Sequence, residues 1–414
     1  MKGVFLILNA GSSSLKFAVH EAGSPVTPPL LRGKISGLGT TPVFSAQDNS
    51  GADIDPGALA ALEPDSNHET LIADLLPWLA SRIRGQPLVA VGHRVVHGGQ
   101  HFDAPVLISP EVLRQLDTFV PLAPLHQPHN LAAIRAVAKW QPAIPQIACF
   151  DTSFHRSQNR LAELFALPRD LTNAGVVRYG FHGLSYEYIA SILPDHLGER
   201  ASGRMIVAHL GNGSSICALK DRKSAATSMG FTALDGLMMG CRCGTLDPGV
   251  ILYLMQAKGM TAPVIEALLY TQSGLLGVSG ISNDMHVLQD SDSPHAKEAI
   301  DLYCYRAACG LAGLLPSIGG LDGIVFTAGI GENSALVRRL ICGHLSWLGI
   351  SLNDDANDRN ATAIGSTQSK VPVLVLPTNE EVIVARACHA LLPDGRAQRP
   401  QEQYENTAQI DTGQ

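Results

Sequence analysis

The chain is 414 residues long, 45% hydrophobic and 16% charged, a balance that buries a core, with room for two or three domains. Acidic residues outnumber basic ones, 37 to 30, and no Lys/Arg run has the length of a nucleic-acid arm or a polybasic membrane patch, so small molecules are the expected partners. Eight cysteines without a CxxC pair, and no apolar run long enough for a secretory leader or a bilayer span, predict a reduced, cytoplasmic setting.

The first element is a hairpin, "LILNAGSSSLKFAVHE" at residues 6–21. It is not a Walker A loop, because Leu15 and not a glycine precedes Lys16, and the stretch from Lys16 to Glu21 reads as a second strand. It still suits an anion: Gly11 lets backbone approach closely, Ser12 and Ser14 offer hydroxyl donors, and Lys16 adds charge. An ordinary polar turn reads the same way. Residues 36–66 carry turn residues and short strands, and helical patterns follow at 68–84, 109–119 and 128–140, with strand-like runs at 88–92 and 144–150.

Farther on, helical patterns cover 184–193, 248–258, 262–272 and 294–315, and apolar strands cover 205–210, 323–328 and 371–376. "RMIVAHLGNGSSICALK", 204–220, repeats the grammar of the first hairpin; setting Leu210 on Leu8 places Gly213, Ser214 and Ser215 on Gly11, Ser12 and Ser13, as a duplication into two lobes would. A third glycine turn, Gly329-Ile330-Gly331, joins a strand to a helix capped by Asn333 or Ser334, an anion or nucleotide geometry. After Leu392 the sequence is polar and aperiodic and predicts a loosely held tail at 394–414.

Strands interleaved with helices predict an α/β protein, whose ligands sit beyond the carboxyl ends of strands. Arg94 and His97, Asp151, His182, Arg242, Glu380 and Glu381 fall at such ends. Singly, each reads equally as a surface ion pair, a structural histidine or a helix cap. Together with three phosphate-type turns, they match the parts of phosphoryl transfer.

"NAGSSSLK", "HRVVHGG", "APLHQPHN", "FDTSFH", "RYGFHGLS", "HLGNGSS", "TSMGFTALDGLMMGCRCGTLDPG", "FTAGIGENS" and "PTNEEVIVAR" resemble, in order over residues 9–386, the motifs of the acetate kinases. The resemblance implies two ribonuclease-H-like lobes of the actin-like ATPase fold: 1–150 completed by a helix at about 383–393, and 151–382 binding the nucleotide. It implies ATP/ADP as co-substrate, Mg²⁺ with Mn²⁺ able to substitute, acetate and acetyl phosphate as substrates, and a homodimer. By motif, Asn9, Ser12, Ser14 and Lys16 form one phosphate hairpin, and Asn212 and Gly213 the other. Arg94, Asp151, His182 and Arg242 are the catalytic set, and Asn9, Asp151 and Glu380 orient the metal. Asp284, Met285, His286, Gly329, Ile330, Gly331 and Asn333 hold the adenosine, and Val96, Leu125, Phe181 and Ala233 meet the acyl group.

Three positions depart from the family pattern: Cys241 replaces a threonine, Ala233 a proline and His286 an arginine. The second leaves room for a propionate or broader short-chain acyl kinase, the third for relaxed nucleotide choice. The alternative from another class is a non-catalytic Hsp70-like ATP-binding module, which has no evident use for Arg94, His182 and Arg242.

Overall fold

The computed structural model describes residues 3–11, 14–24, 28–38, 40–63, 66–83 and 85–392. Ser12, Ser13 and the polar tail lie outside the described residues.

Two sheets organise the chain. The first contains β1 (Val4–Ala10), β2 (Ser14–Glu21), β3 (Leu31–Ser36), β4 (Val43–Asp48), β5 (Leu88–Val95), β6 (Val106–Leu107) and β7 (Gln146–Phe150) in the order β4-β3-β2-β1-β5-β7-β6. The second contains β8 (Arg204–Leu210), β9 (Ser214–Lys220), β10 (Lys223–Thr227), β11 (Gly323–Thr327) and β12 (Val373–Val375) in the order β10-β9-β8-β11-β12. Each begins as an antiparallel meander and continues with two strands parallel to its first, β5 and β7 beside β1, β11 and β12 beside β8. The shared plan is the duplication that the two hairpins hinted at, in a different register. The incoming strands end at Ala10 and Leu210, which sets Gly11 opposite Gly211 and not Gly213. The last residue pair is Ala10 with Leu15 in the first hairpin and Leu210 with Ser214 in the second, so the second closes one residue sooner.

The central strands are buried on both faces, so they read as apolar runs without alternation. Outside the first sheet lie helices His68–Arg82 and Gln127–Trp140, the former closed by a capping box at Asn67 and Thr70. The 25-residue helix Pro294–Ile318 covers the outer face of the second sheet. Between the sheets run Gly183–Leu197, which packs on both, and Glu380–Leu391, whose Ile383, Val384, Ala387 and Cys388 meet Phe5, Ile7, Ala18, Ala90, Ile147 and Cys149 of the first. That approach is close enough to demand glycine at 92, where a side-chain carbon would stand 2.5 Å from Val384 and 2.8 Å from the Cys388 sulfur.

Candidate active site

The parallel strands aim their carboxyl ends at the space between the sheets. β1 brings Asn9 there, β5 brings Arg94, and Asp151 follows β7, its amide donating to the Val95 carbonyl at 3.0 Å. Arg94 donates through Nε and Nη2 to the two carboxylate oxygens of Asp151, at 3.0 and 2.5 Å, and through Nη1 to Asn9 Oδ1 at 3.1 Å. Glu380, which opens the last helix, lies 3.8 Å from Arg94 Nε. Burial pushes the Asp151 carboxyl up against the opposing pull of Arg94, while the two carboxylates hold the guanidinium charge of Arg94 above its usual range despite its own burial.

His182 stands across from this group. It has the left-handed φ of 59° at the start of helix Gly183–Leu197, a conformation rare for a side-chain-bearing residue and a form of stored backbone strain. The amide of Gly183 ties the turn down by donating to the Asp151 carbonyl at 2.9 Å, so close that no side chain fits at 183. The His182 ring lies 4.2 Å from that of His209, nearly parallel to it. Burial, then His209 and the charges of Arg94 and Arg242, hold the His182 imidazole well below its ordinary pKa, so it is neutral at physiological pH. His209 is pushed down to about 4, chiefly by burial and then by Arg94.

Arg242 sits in the loop that follows Gly240, whose amide donates to the Asn212 carbonyl at 3.0 Å and so links the loop to the second hairpin. Its Nη1 donates to the Ala233 carbonyl at 3.1 Å, and Nη2 lies 3.4 Å from His126 Nε2. His126 is held down to about 3 by burial and by the charges of Arg242 and Arg94, so it too is neutral. Beside Arg242, Val96, Ala123, Phe181, Met229 and Met239 make a small apolar cluster with Ala233 against it. Leu125 is half-buried in the turn between Ala123 and His126 and lies outside that cluster.

Two adjoining cavities lead to Arg94 and His182; Arg242, Asp151 and the apolar cluster line neither of them. One, of 520 Å³, is lined by Asn212, expected at the phosphates, and by Asp284, Met285, His286, Gly329, Ile330 and Asn333, expected around adenosine. The other, of 590 Å³, is lined by Asn9, Lys16, Arg94, His182, Asn212, Gly213 and Glu380. They share Gly211, Asn212 and Gly329. Ser14 closes the first hairpin, its carbonyl accepting from Gly11 at 2.8 Å. Gly331 is buried behind the wall, and the turn that holds it is itself a short helix, Ala328–Asn333, after which Ser334 caps the next. Asp284 spends one carboxylate oxygen capping helix Met285–Gln289, and His286 is exposed and 3.0 Å from Asp290.

Sequence reasoning missed four participants. His126 and His209 were visible only as letters inside longer motifs. Arg32 lines the cleft from β3; it pairs with Ala18, two residues from Lys16 on the same face of β2, so two exposed cations lie diagonally together. Arg338 is wholly buried and makes its hydrogen bonds to neutral acceptors, among them the carbonyls of Gly331 and Glu332, at 2.9 and 3.0 Å, which brace the Gly329–Gly331 turn.

The acetokinase family model matches residues 4–386. An acetate kinase of Rhodopseudomonas palustris is 52% identical over 401 residues, covering 96% of this chain and all of that protein. Among solved structures, a propionate kinase from Francisella tularensis superposes with a TM-score of 0.87 at 36% identity, covering 93% of this chain and 98% of that one. An acetate kinase of Porphyromonas gingivalis superposes with a TM-score of 0.83, also at 36% identity, covering 94% of this chain and 100% of that one. With two sheets of one plan facing each other across this cleft in the actin-like two-lobed arrangement, the chain belongs to the acetokinase family.

Proposed function

We propose that this protein is an acetate kinase, moving the terminal phosphoryl group of ATP onto acetate and, in reverse, from acetyl phosphate onto ADP. The observation that carries this reading is a single continuous path: a nucleotide-sized cavity leads past Asn212 to Arg94 and His182, with Arg242 and an apolar cluster beside them. Transfer is direct and in line: a carboxylate oxygen bonds to the γ-phosphorus as the bond to the β–γ bridging oxygen breaks, its electrons leaving with ADP. Acetate is already ionised at neutral pH, so no general base is needed. The work is electrostatic.

Arg94 and Arg242 hold the carboxylate and the phosphoryl oxygens, which otherwise repel each other. Each arrives pre-oriented, Arg94 by Asp151 and Asn9, Arg242 by the Ala233 carbonyl. His182, being neutral, contributes a hydrogen bond to the group in flight. Lys16 and the two hairpins grip the phosphate chain, and Val96, Phe181 and Ala233 receive the methyl group. Asn9, Asp151 and Glu380 are oxygen donors gathered about Arg94, a set that suits Mg²⁺ or Mn²⁺ held largely through waters. Bound there with the nucleotide, the ion would neutralise phosphate charge.

A second reading, a broader short-chain acyl kinase, is favoured by Ala233, whose small side chain faces the apolar cluster. Trapping the acyl phosphate with hydroxylamine, using acetate, propionate and butyrate side by side, tests both. Turnover with acetate and little product with butyrate is expected; ATP binding without acid-dependent ADP release would overturn the enzyme and favour a binding module.

We further propose a cytoplasmic homodimer whose lobes are 1–150 with the last helix, and 151–382. Support for the dimer comes from helix Pro248–Gln256, which is apolar yet has no buried residue in the single chain. Val250, Leu252, Tyr253 and Met255 are exposed on it, beside Val264 of the adjacent helix. An all-apolar helix is ordinarily covered, and a second copy would cover it.

A further inference from the structure

We propose that Tyr186 and Ser215 form a buried, proton-ordered hydroxyl chain that holds His182 as its Nε2–H tautomer, so that the ring can only donate toward the cleft. The chain's geometry is independent of the reaction; its use rests on the reading that His182 meets the transferring phosphoryl group.

Ser215 on β9 and Tyr186 on helix Gly183–Leu197 are both fully buried. The Tyr186 hydroxyl lies 2.5 Å from Ser215 Oγ, and Ser215 Oγ lies 2.8 Å from His182 Nδ1. Each hydroxyl has one proton to place. Burial raises the Tyr186 pKa well above the ordinary value, so the phenol keeps its proton. That proton has Ser215 Oγ as its acceptor, and a buried donor left without one costs about 1–3 kcal/mol. Ser215 therefore accepts from Tyr186 and donates its own proton to Nδ1. A neutral imidazole carries one proton, so with Nδ1 accepting, the proton is on Nε2.

The opposite polarity fails on the same count. Were Nδ1 the donor, Ser215 Oγ would either accept from both neighbours, leaving its own proton without an acceptor, or donate to the phenol oxygen, leaving the phenol proton without one among the described residues. At the other end of the ring, Gly213 leaves Nε2 uncovered: a side-chain carbon at 213 would stand 3.3 Å from it. The left-handed turn at His182 and the ring of His209 fix the plane in which the N–H points. A lone pair presented to phosphoryl oxygens would repel them. An N–H attracts them, and Tyr186 and Ser215, which touch no substrate, are the positioning residues that select it.

The test reads the tautomer directly, in full-length protein labelled with ¹⁵N-histidine and free of nucleotide. Long-range ¹H–¹⁵N correlation spectra give the protonated nitrogen of each ring, with His182 assigned by the signals lost in His182→Gln. The expected result is a protonated Nε2 in the wild type and a mixture of tautomers in Tyr186→Phe and Ser215→Ala. In these variants kcat should fall about five- to tenfold, as for one hydrogen bond. KM for acetate and ATP should stay within about twofold, and Ser215→Thr, which keeps the hydroxyl, should retain the wild-type tautomer. A protonated Nδ1 in the wild type, or variants that lose thermal stability with the tautomer unchanged, would overturn the proposal. If the tautomer behaves as expected but His182→Gln keeps full kcat, the phosphoryl contact fails while the hydroxyl chain stands.

Discussion

Replacing Ala233 by proline probes the proposed acyl pocket at the position where the resemblance leads one to expect a proline. Ala233 packs on the cluster of Val96, Ala123, Phe181, Met229 and Met239, and its carbonyl accepts from Arg242. Proline adds two ring carbons and keeps that carbonyl, so the change takes up space without releasing the arginine. A buried methylene is worth about 0.8 kcal/mol, roughly fourfold in kcat/KM, and a tight pocket discriminates one methylene by about 1–3 kcal/mol. With alanine the wild-type enzyme should use propionate within about tenfold of acetate, the lenient end of that range, and should use butyrate poorly. Ala233→Pro should lower the propionate-to-acetate ratio of kcat/KM by roughly fourfold or more, with acetate itself changed less than about twofold. Hydroxylamine trapping across a range of each acid measures both numbers. An unchanged ratio would mean that Ala233 does not meet the acyl chain; a collapse with both acids would mean that the substitution displaces Arg242 instead.

Arg242→Ala should reduce kcat by at least about a hundredfold, roughly 2.7 kcal/mol, and a loss confined to KM in steady-state assays would contradict its contact with the transferring group. His182→Ala should lower kcat by a larger factor than it raises either KM, because a bond made mainly in flight stabilises only the transition state. His286 is exposed and near Asp290, so it offers adenine less than a guanidinium plane would, and GTP should serve within about a thousandfold of ATP in kcat/KM, ~4 kcal/mol. A greater preference for ATP would show that another group reads the base. Tyr253→Glu should convert a dimer to a monomer in light scattering; a variant that stays dimeric moves the interface away from helix Pro248–Gln256.

What was legible in the sequence was what local chemistry determines. Ile147 to Phe150 read as a strand because every side chain there is buried, and Asp151 read as a site residue because it is the first charge after that strand. Arg94 was legible as the first charge after the apolar run 88–92, although β5 itself continues to Val95. The helix Ala328–Asn333 was not, since two glycines among six residues argue for a turn, and its hydrogen bonds to Arg338 of the following helix and within the segment, from Ala328 to Glu332 and from Asn333 to Gly329, are not readable from a pattern. The hairpin register slipped because matching glycines is a weaker constraint than matching strand ends. Arg32, His126 and Ser215 owe their place to partners at least 14 residues away in the chain, for Arg32 the β2 strand that carries Lys16 and for the others distant loops and helices, and no short window holds both members.

The helix Glu380–Leu391 has a consequence for how the protein is made. It covers Phe5, Ile7, Ala90 and Ile147, a face complete in the growing chain once Ile147 has been added, yet the covering residues start at Ile383, some 236 positions later. At about 5–20 residues per second the face waits roughly 10–50 s for its cover. During synthesis an apolar sheet surface therefore stands open beside the nascent second lobe, and Asp151 and Arg94 wait equally long for Glu380. Ribosome-bound chains halted before residue 380 should bind a chaperone that recognises exposed apolar strands, and should lose that binding when the halt is moved far enough for the helix to emerge.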